Sequence, residues 1–262
     1  MKLRLIIPKC TNWNGWYCCD ADDIESRLSI LKDSMKDNSV NLIITSHNFF
    51  SFFPHCLINH KRIVKKLIKK LHKSIDEGVR KPIIVGLDLL TPNKKFNPFK
   101  SGINAIVYFI GKNNENKYQY ITHIWQCWEG KQKCCKACFQ KQNQSRVIKF
   151  YSKKIGLLSC GDIASCCHNN GNLLPNVDIY VDLSHKSLRG LTSQNRISPK
   201  IINHWQKANV VLVTQQVNNV RSYIKNQSYP YIFSNPGVRI STKVSLYKIN
   251  NKTGAYVDVE IH

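Results

Sequence analysis

The residues best suited to chemistry lie in one run, Lys154-Ile155-Gly156-Leu157-Leu158-Ser159-Cys160-Gly161-Asp162-Ile163. An apolar stretch the length of a buried strand ends on a cysteine, and open α/β sheets place their chemistry at the carboxyl ends of their strands. Gly161 leaves room beside the sulfur, and Asp162 follows with a carboxylate. A thiolate so placed is a candidate nucleophile. The chain has 11 cysteines, however, and a free cysteine is more often a small buried residue than a reactive one. Its strand-end position is what sets Cys160 apart.

The other cysteines point to metal or free thiols rather than to disulfides. Their number is odd, and the apolar run at 1–8 is far too short for a secretory signal, so a cytoplasmic, reducing location is expected. Cys127, Cys134, Cys135 and Cys138 fall in a polar insertion at about 126–145. Cys135 and Cys138 form a C-x-x-C pair, a spacing that lets two thiolates grip one tetrahedral Zn²⁺. Cys166, Cys167 and His168 would complete a structural zinc site if the insertion folds back over the Cys160 turn. No second C-x-x-C follows at ribbon spacing, so loose thiols or core residues are the competing reading. Cys10, Cys18 and Cys19 have no functional account.

Charge raises a second possibility. Against 16 acidic residues there are 39 lysines and arginines, a net charge of +23. Between 61 and 73 the cations Lys61, Arg62, Lys65, Lys66, Lys69, Lys70 and Lys73 occur without an acid, while Ile63, Val64, Leu67, Ile68 and Leu71 interleave at helical spacing. This predicts an amphipathic helix, apolar inward and cationic outward. Such a face is either simply solvated or a surface for nucleic acid or an acidic protein, with salt-sensitive affinity. No aromatic residue interrupts the stripe, so base stacking is not indicated.

The elements that must position these residues follow from apolar runs and periodicity. Strands are predicted at 3–8, 40–45, 81–87, 104–110, 117–125, 155–160, 177–183 and 209–214, with short strands at 231–233, 238–240, 244–248 and 255–261 forming a closing meander. Helices are predicted at 24–36, 57–77 and 199–207; Ile24, Leu28, Leu31 and Met35 line one side of the first. Strands alternating with helices, then late hairpins, give an α/β protein with a mixed sheet covered on both faces. No repeat or linker divides the chain, so 1–262 is expected to be one domain. No run of roughly 20 apolar residues exists to span a membrane.

Taken in order, these segments resemble the nitrilase (carbon–nitrogen hydrolase) superfamily. Its nucleophile turn has the form hydrophobic–Gly–hydrophobic–hydrophobic–x–Cys followed by x–Asp or x–Glu, as at 155–162 here. The segment 41–50 resembles the strand that ends at the family's general-base glutamate, and 81–87 the strand after it. The segment 118–125 resembles the strand bearing the catalytic lysine, 177–184 and 209–214 the two strands after the nucleophile, and Ser234-Asn235-Pro236-Gly237 the late turn. The resemblance implies a nitrilase-like four-layer α-β-β-α sandwich, a homodimer, a small amide or nitrile substrate and no cofactor.

The departures are as informative as the matches. Cys160 keeps the nucleophile position, but His47 stands where the family has its glutamate and Thr122 where it has its lysine; Glu129 matches a secondary glutamate found near that lysine. Thr122, Gly161 and Asp162 are expected around the substrate, and His185, just after the strand at 177–183, either lines the cleft or is structural. Two readings stay open. In a rewired enzyme His47 is the base to Cys160, since imidazole titrates near neutrality, with Glu129 orienting it or binding substrate. Alternatively, loss of two members of one catalytic unit leaves a retired active centre or a non-catalytic binding protein, because threonine supplies no positive charge.

Overall fold

Strands that are apolar on both sides must be covered on both sides. The computed structural model describes residues 1–9, 24–46, 49–52, 69, 73, 81–89, 103–109, 118–123, 146–159, 176–183, 210–214, 232–234, 236–250 and 252–262. Over these, the apolar runs become β1 (Lys2–Pro8), β2 (Leu42–Thr45), β3 (Phe50–Phe52), β4 (Ile83–Leu89), β5 (Ile103–Phe109), β6 (Tyr118–His123), β7 (Val147–Phe150), β8 (Lys153–Ser159), β9 (Ile179–Leu183) and β10 (Val210–Thr214). The chain closes with β11 (Ile232–Ser234), β12 (Ile240–Ile249) and β13 (Lys252–Ile261), and α1 spans Ile24–Met35.

Two mixed sheets result. The first runs β12-β13-β1-β2-β4-β5-β6 with β3 also beside β4, and the second runs β11-β10-β9-β8-β7. β1, β2 and β4 are parallel neighbours in the first, as are β8, β9 and β10 in the second. The sheets share one core: Leu3, Leu5, Leu42, Ile44, Ile84, Val257 and Val259 of the first meet Ile155, Leu157, Ile179, Val181, Val210 and Leu212 of the second. Each such side chain contributes roughly 1.5–3 kcal/mol relative to exposure.

Side chains alternate along a strand, so the same strands present a second set outward. On the first sheet these are covered by α1, whose Leu28, Ile30, Leu31 and Met35 are buried. On the second sheet the outward Leu158, Tyr180 and Asp182 are buried too, so the stack continues past it. The α/β class and the packed-sheet layering expected from the sequence are what the chain adopts.

A charged clamp fixes α1 to its sheet. Arg4 donates from Nε to Asp258 Oδ1 at 2.6 Å and from Nη2 to Asp258 Oδ2 at 2.7 Å. The same Nη2 reaches Asp37 Oδ2, in the turn after α1, at 2.7 Å. Burial opposes the charge on Arg4, but Asp258 and Asp37 hold its pKa above the ordinary value. Lys81 donates to the Asp37 carbonyl, which brings in the start of β4.

The sequence expectation needs adjustment in three places. β7 was not expected; it forms a hairpin with β8 through the two-residue turn Tyr151-Ser152, where Tyr151 takes φ 51° without the usual Asn-Gly signal. The closing strands are not a meander of short pieces, because β12 and β13 pair over ten residues each through a turn entered at Asn250, φ 48°. β3 is an additional short strand, and its origin bears on the site.

Candidate active site

The strand expected to carry the nucleophile is a central one. β8 lies between β7 and β9, and register ties Ser159 to Leu183 and Leu183 to Thr214, so three parallel strands end in one row. Cys160 is the next residue after that row and lies outside the described residues, as do Gly161, Asp162 and His185. Gly156 is required upstream: a Cβ there would come within 2.9 Å of the Tyr180 ring and 3.1 Å of Val177. The bare backbone lets a buried aromatic lie across the strand that delivers Cys160.

On the first sheet, β2 and β3 meet β4 out of step with one another. Ile44 pairs with Ile84, and Phe50 pairs with Leu87, both beside β4. Six residues separate the first pair from the second on one strand and three on the other, so the register shifts by three residues between β2 and β3. Such shifts re-aim side chains and recur beside active sites. The shift is bounded at both ends. Thr45 Oγ1 accepts the Gly86 N–H at 3.1 Å, where the β2–β4 ladder stops, and the Ser46 carbonyl accepts the Phe49 N–H at 3.2 Å. Phe49 is fully buried, edge-on to Phe50 at 5.1 Å, with the Arg27 guanidinium 5.2 Å over its ring. His47 itself lies outside the described residues.

Ser46, its neighbour, is buried, and its hydroxyl has no hydrogen-bond partner among the described residues. An orphaned buried hydroxyl costs on the order of 1–3 kcal/mol and calls for a reason.

Thr122 falls in the same part of the sheet. It pairs with Ala105, Ala105 with Leu87, and Leu87 with Phe50. The row crosses three strand spacings, about 14 Å at the usual interstrand distance. Thr122 thus lies level with Phe50, the first residue of β3, across the sheet.

Sequence reasoning passes over Asp182. It is the penultimate residue of β9, in register with Leu158, and it is buried at 0% exposure. A buried carboxylate at the carboxyl end of a parallel strand is a functional candidate. The signal was available as a lone acid inside the apolar run Ile179-Tyr180-Val181-Asp182-Leu183.

The remaining expectations fall largely outside the described residues. Glu129, Cys135, Cys138 and all other cysteines do so, as do Lys61, Arg62, Lys65, Lys66 and Lys70. Among the described residues no group of three or more His, Cys, Asp or Glu could hold a metal. Of the basic run, Lys69 and Lys73 are described, each helical and exposed. Among the described residues no helix is long and apolar enough to cross a membrane.

No protein-family model matches the chain, and no curated protein does. Solved structures of similar backbone include Nit3 of Saccharomyces cerevisiae, a member of branch 10 of the nitrilase superfamily, at 11% identity and TM-score 0.49, covering 98% of this chain and 89% of that one. A mutant amidase from Nesterenkonia sp., with the acetamide moiety of fluoroacetamide added to its active-site cysteine, is similar at 9% identity and TM-score 0.48 over 82% of this chain and 76% of that one. A carbon–nitrogen hydrolase from Helicobacter pylori is similar at 14% identity and TM-score 0.47 over 83% and 73%.

Proposed function

We propose that the chain is a carbon–nitrogen hydrolase-like protein in which Cys160 remains the nucleophile and His47 has replaced glutamate as its base. The observation that supports this reading is the three-residue register shift between β2 and β3, bounded by the bonds of Thr45 and Phe49, within the stretch of sequence that holds His47. A residue with no task beyond filling a strand needs no such device.

On a small amide, the Cys160 thiol would lose its proton to His47 and its sulfur would bond to the carbonyl carbon. The C–N bond would then break, with His47 returning the proton to the departing ammonia. Water would hydrolyse the thioester to the carboxylic acid and restore the thiol. With threonine at 122, backbone N–H groups near Gly161 would have to supply the oxyanion stabilisation that a lysine gives. Glu129 would orient His47 or contact substrate, and Asp162 and His185 would line the pocket.

Site-resolved alkylation with iodoacetamide across pH, read by mass spectrometry, tests the pair. Cys160 should react with an apparent pKa below the free-thiol value of about 8.5, and His47→Ala should raise it. A Cys160 no more reactive than the other cysteines would mark a retired centre.

A second reading rests on Lys69 and Lys73, each helical and exposed: the basic face engages nucleic acid or an acidic protein. Filter binding of nucleic acid at low salt, lost steeply as salt rises, supports it, and no retention at low salt removes it.

A further inference from the structure

β12 is the outermost strand of the first sheet, and which of its backbone groups are spoken for can be read from register. His262 donates its N–H to the Arg239 carbonyl, directly opposite, so odd-numbered residues of β12 bond to β13. The far side of β13 agrees: Ile261 exchanges both bonds with Met1, so odd residues of β13 face β1 and its even ones face β12. The N–H and C=O groups of Ile240, Thr242, Val244, Leu246 and Lys248 therefore point away from the sheet, and among the described residues no strand takes them up.

The guards on this edge are its lysines, Lys243 and Lys248, which deter a basic strand and not an acidic one. The edge is ten residues long, contains no proline, and bears Leu246 at 58% exposure. Edges of this kind are templates for another strand. Its charge selects which one. Arg239, Lys243 and Lys248 are exposed, and no acid occurs from 236 to 250, in a chain of net charge +23. A basic or neutral strand, a second copy of this chain included, gains no charge complementarity here. An acidic one neutralises the lysines as its main chain pairs.

We propose that β12 is a docking edge for an extended acidic segment of another protein, which adds as a further strand through the outward groups of Thr242, Val244 and Leu246. Apolar side chains of the incoming segment would cover Leu246 and Val244, and its alternate acidic positions would face Lys243.

A blocked peptide alternating glutamate and valine is the probe, with a lysine–valine peptide as control, read by fluorescence anisotropy and by amide hydrogen exchange. The acidic peptide should bind, weaken with added salt, and slow exchange selectively at Thr242, Val244 and Leu246. Val244→Pro removes one outward N–H without touching the β12–β13 bonds, and should weaken binding at least tenfold. The pair Lys243→Glu and Lys248→Glu should do the same without altering any backbone group. No binding of the acidic peptide, equal binding of the lysine peptide, or binding unaffected by either variant overturns the proposal. So does protection of the three amides that rises with protein concentration alone, since a second copy would then hold the edge.

Discussion

The Gly86 N–H is satisfied by the Thr45 side chain, at 3.1 Å, rather than by the backbone of β2. This bond lies at the end of β2, five residues before β3 begins at Phe50. Thr45→Val removes the acceptor and leaves a buried donor unpaired, a loss of about 1–3 kcal/mol in denaturant unfolding. Thr45→Ser keeps the hydroxyl and should recover most of it. If valine is as stable as threonine, the bond does not hold the register shift.

Gly156 supports the other half of the site. Gly156→Ala puts a methyl against the Tyr180 ring, with the nearest approach 2.9 Å. Overpacking of this kind costs roughly 1–3 kcal/mol. Trimming the ring with Tyr180→Leu should relieve part of that cost in the double variant, a coupling visible in a double-mutant cycle.

Arg4 and Asp258 form a buried pair, at 6% and 7% exposure. Arg4→Ala should destabilise by up to about 3 kcal/mol, because Asp258 then keeps only Lys2, whose Nζ lies 3.2 Å from Oδ2. Replacing both by apolar residues, Arg4→Met with Asp258→Leu, should restore most of the loss. Thermal unfolding of the single and double variants distinguishes these outcomes.

Asp37 gives the clamp an acid limit. The Ser39 hydroxyl, joined by the Ser39 N–H and Arg4, outweighs the opposing effect of burial and holds its carboxyl below its ordinary value of 3.8. A depressed folded-state pKa contributes stability that is fully present above the unfolded value and is withdrawn as pH falls toward the folded one. Stability should therefore decline below about pH 4, and less steeply in Asp37→Asn. Its side chain is 37% exposed, so salt should blunt the effect.

The legible parts of the fold were those whose pattern is local. β1, β2, β8, β9 and β10 are continuous apolar runs that declare their own burial. β12 does not, because Ser241, Thr242, Lys243 and Ser245 lie beyond the core, where no hydrophobic period is imposed. β7 was hidden by its position against a polar insertion and by a turn whose left-handed residue is Tyr151. The register shift between β2 and β3 is created by pairing with β4, and no sequence period encodes it. At the site, composition could nominate Cys160 by its place at a strand end. His47 and Thr122 came only through family order, and the pairing of Thr122 to Phe50 across three strands is a tertiary fact.

The first strand of the chain completes its hydrogen bonding with the last. Leu3 pairs with Val259, and β2 takes the other side of β1. During vectorial synthesis β1 is therefore made long before one of its two neighbours exists, and holds an open, largely apolar edge until β13 emerges. The β12–β13 hairpin, joined by a tight turn, can form locally and then dock as a unit. Pairing at such sequence separation is slow and exposes the chain to aggregation in the interval. Refolding should thus be governed by the arrival of that hairpin, and a chain shortened by β13 should accumulate in aggregates rather than as a weakened monomer.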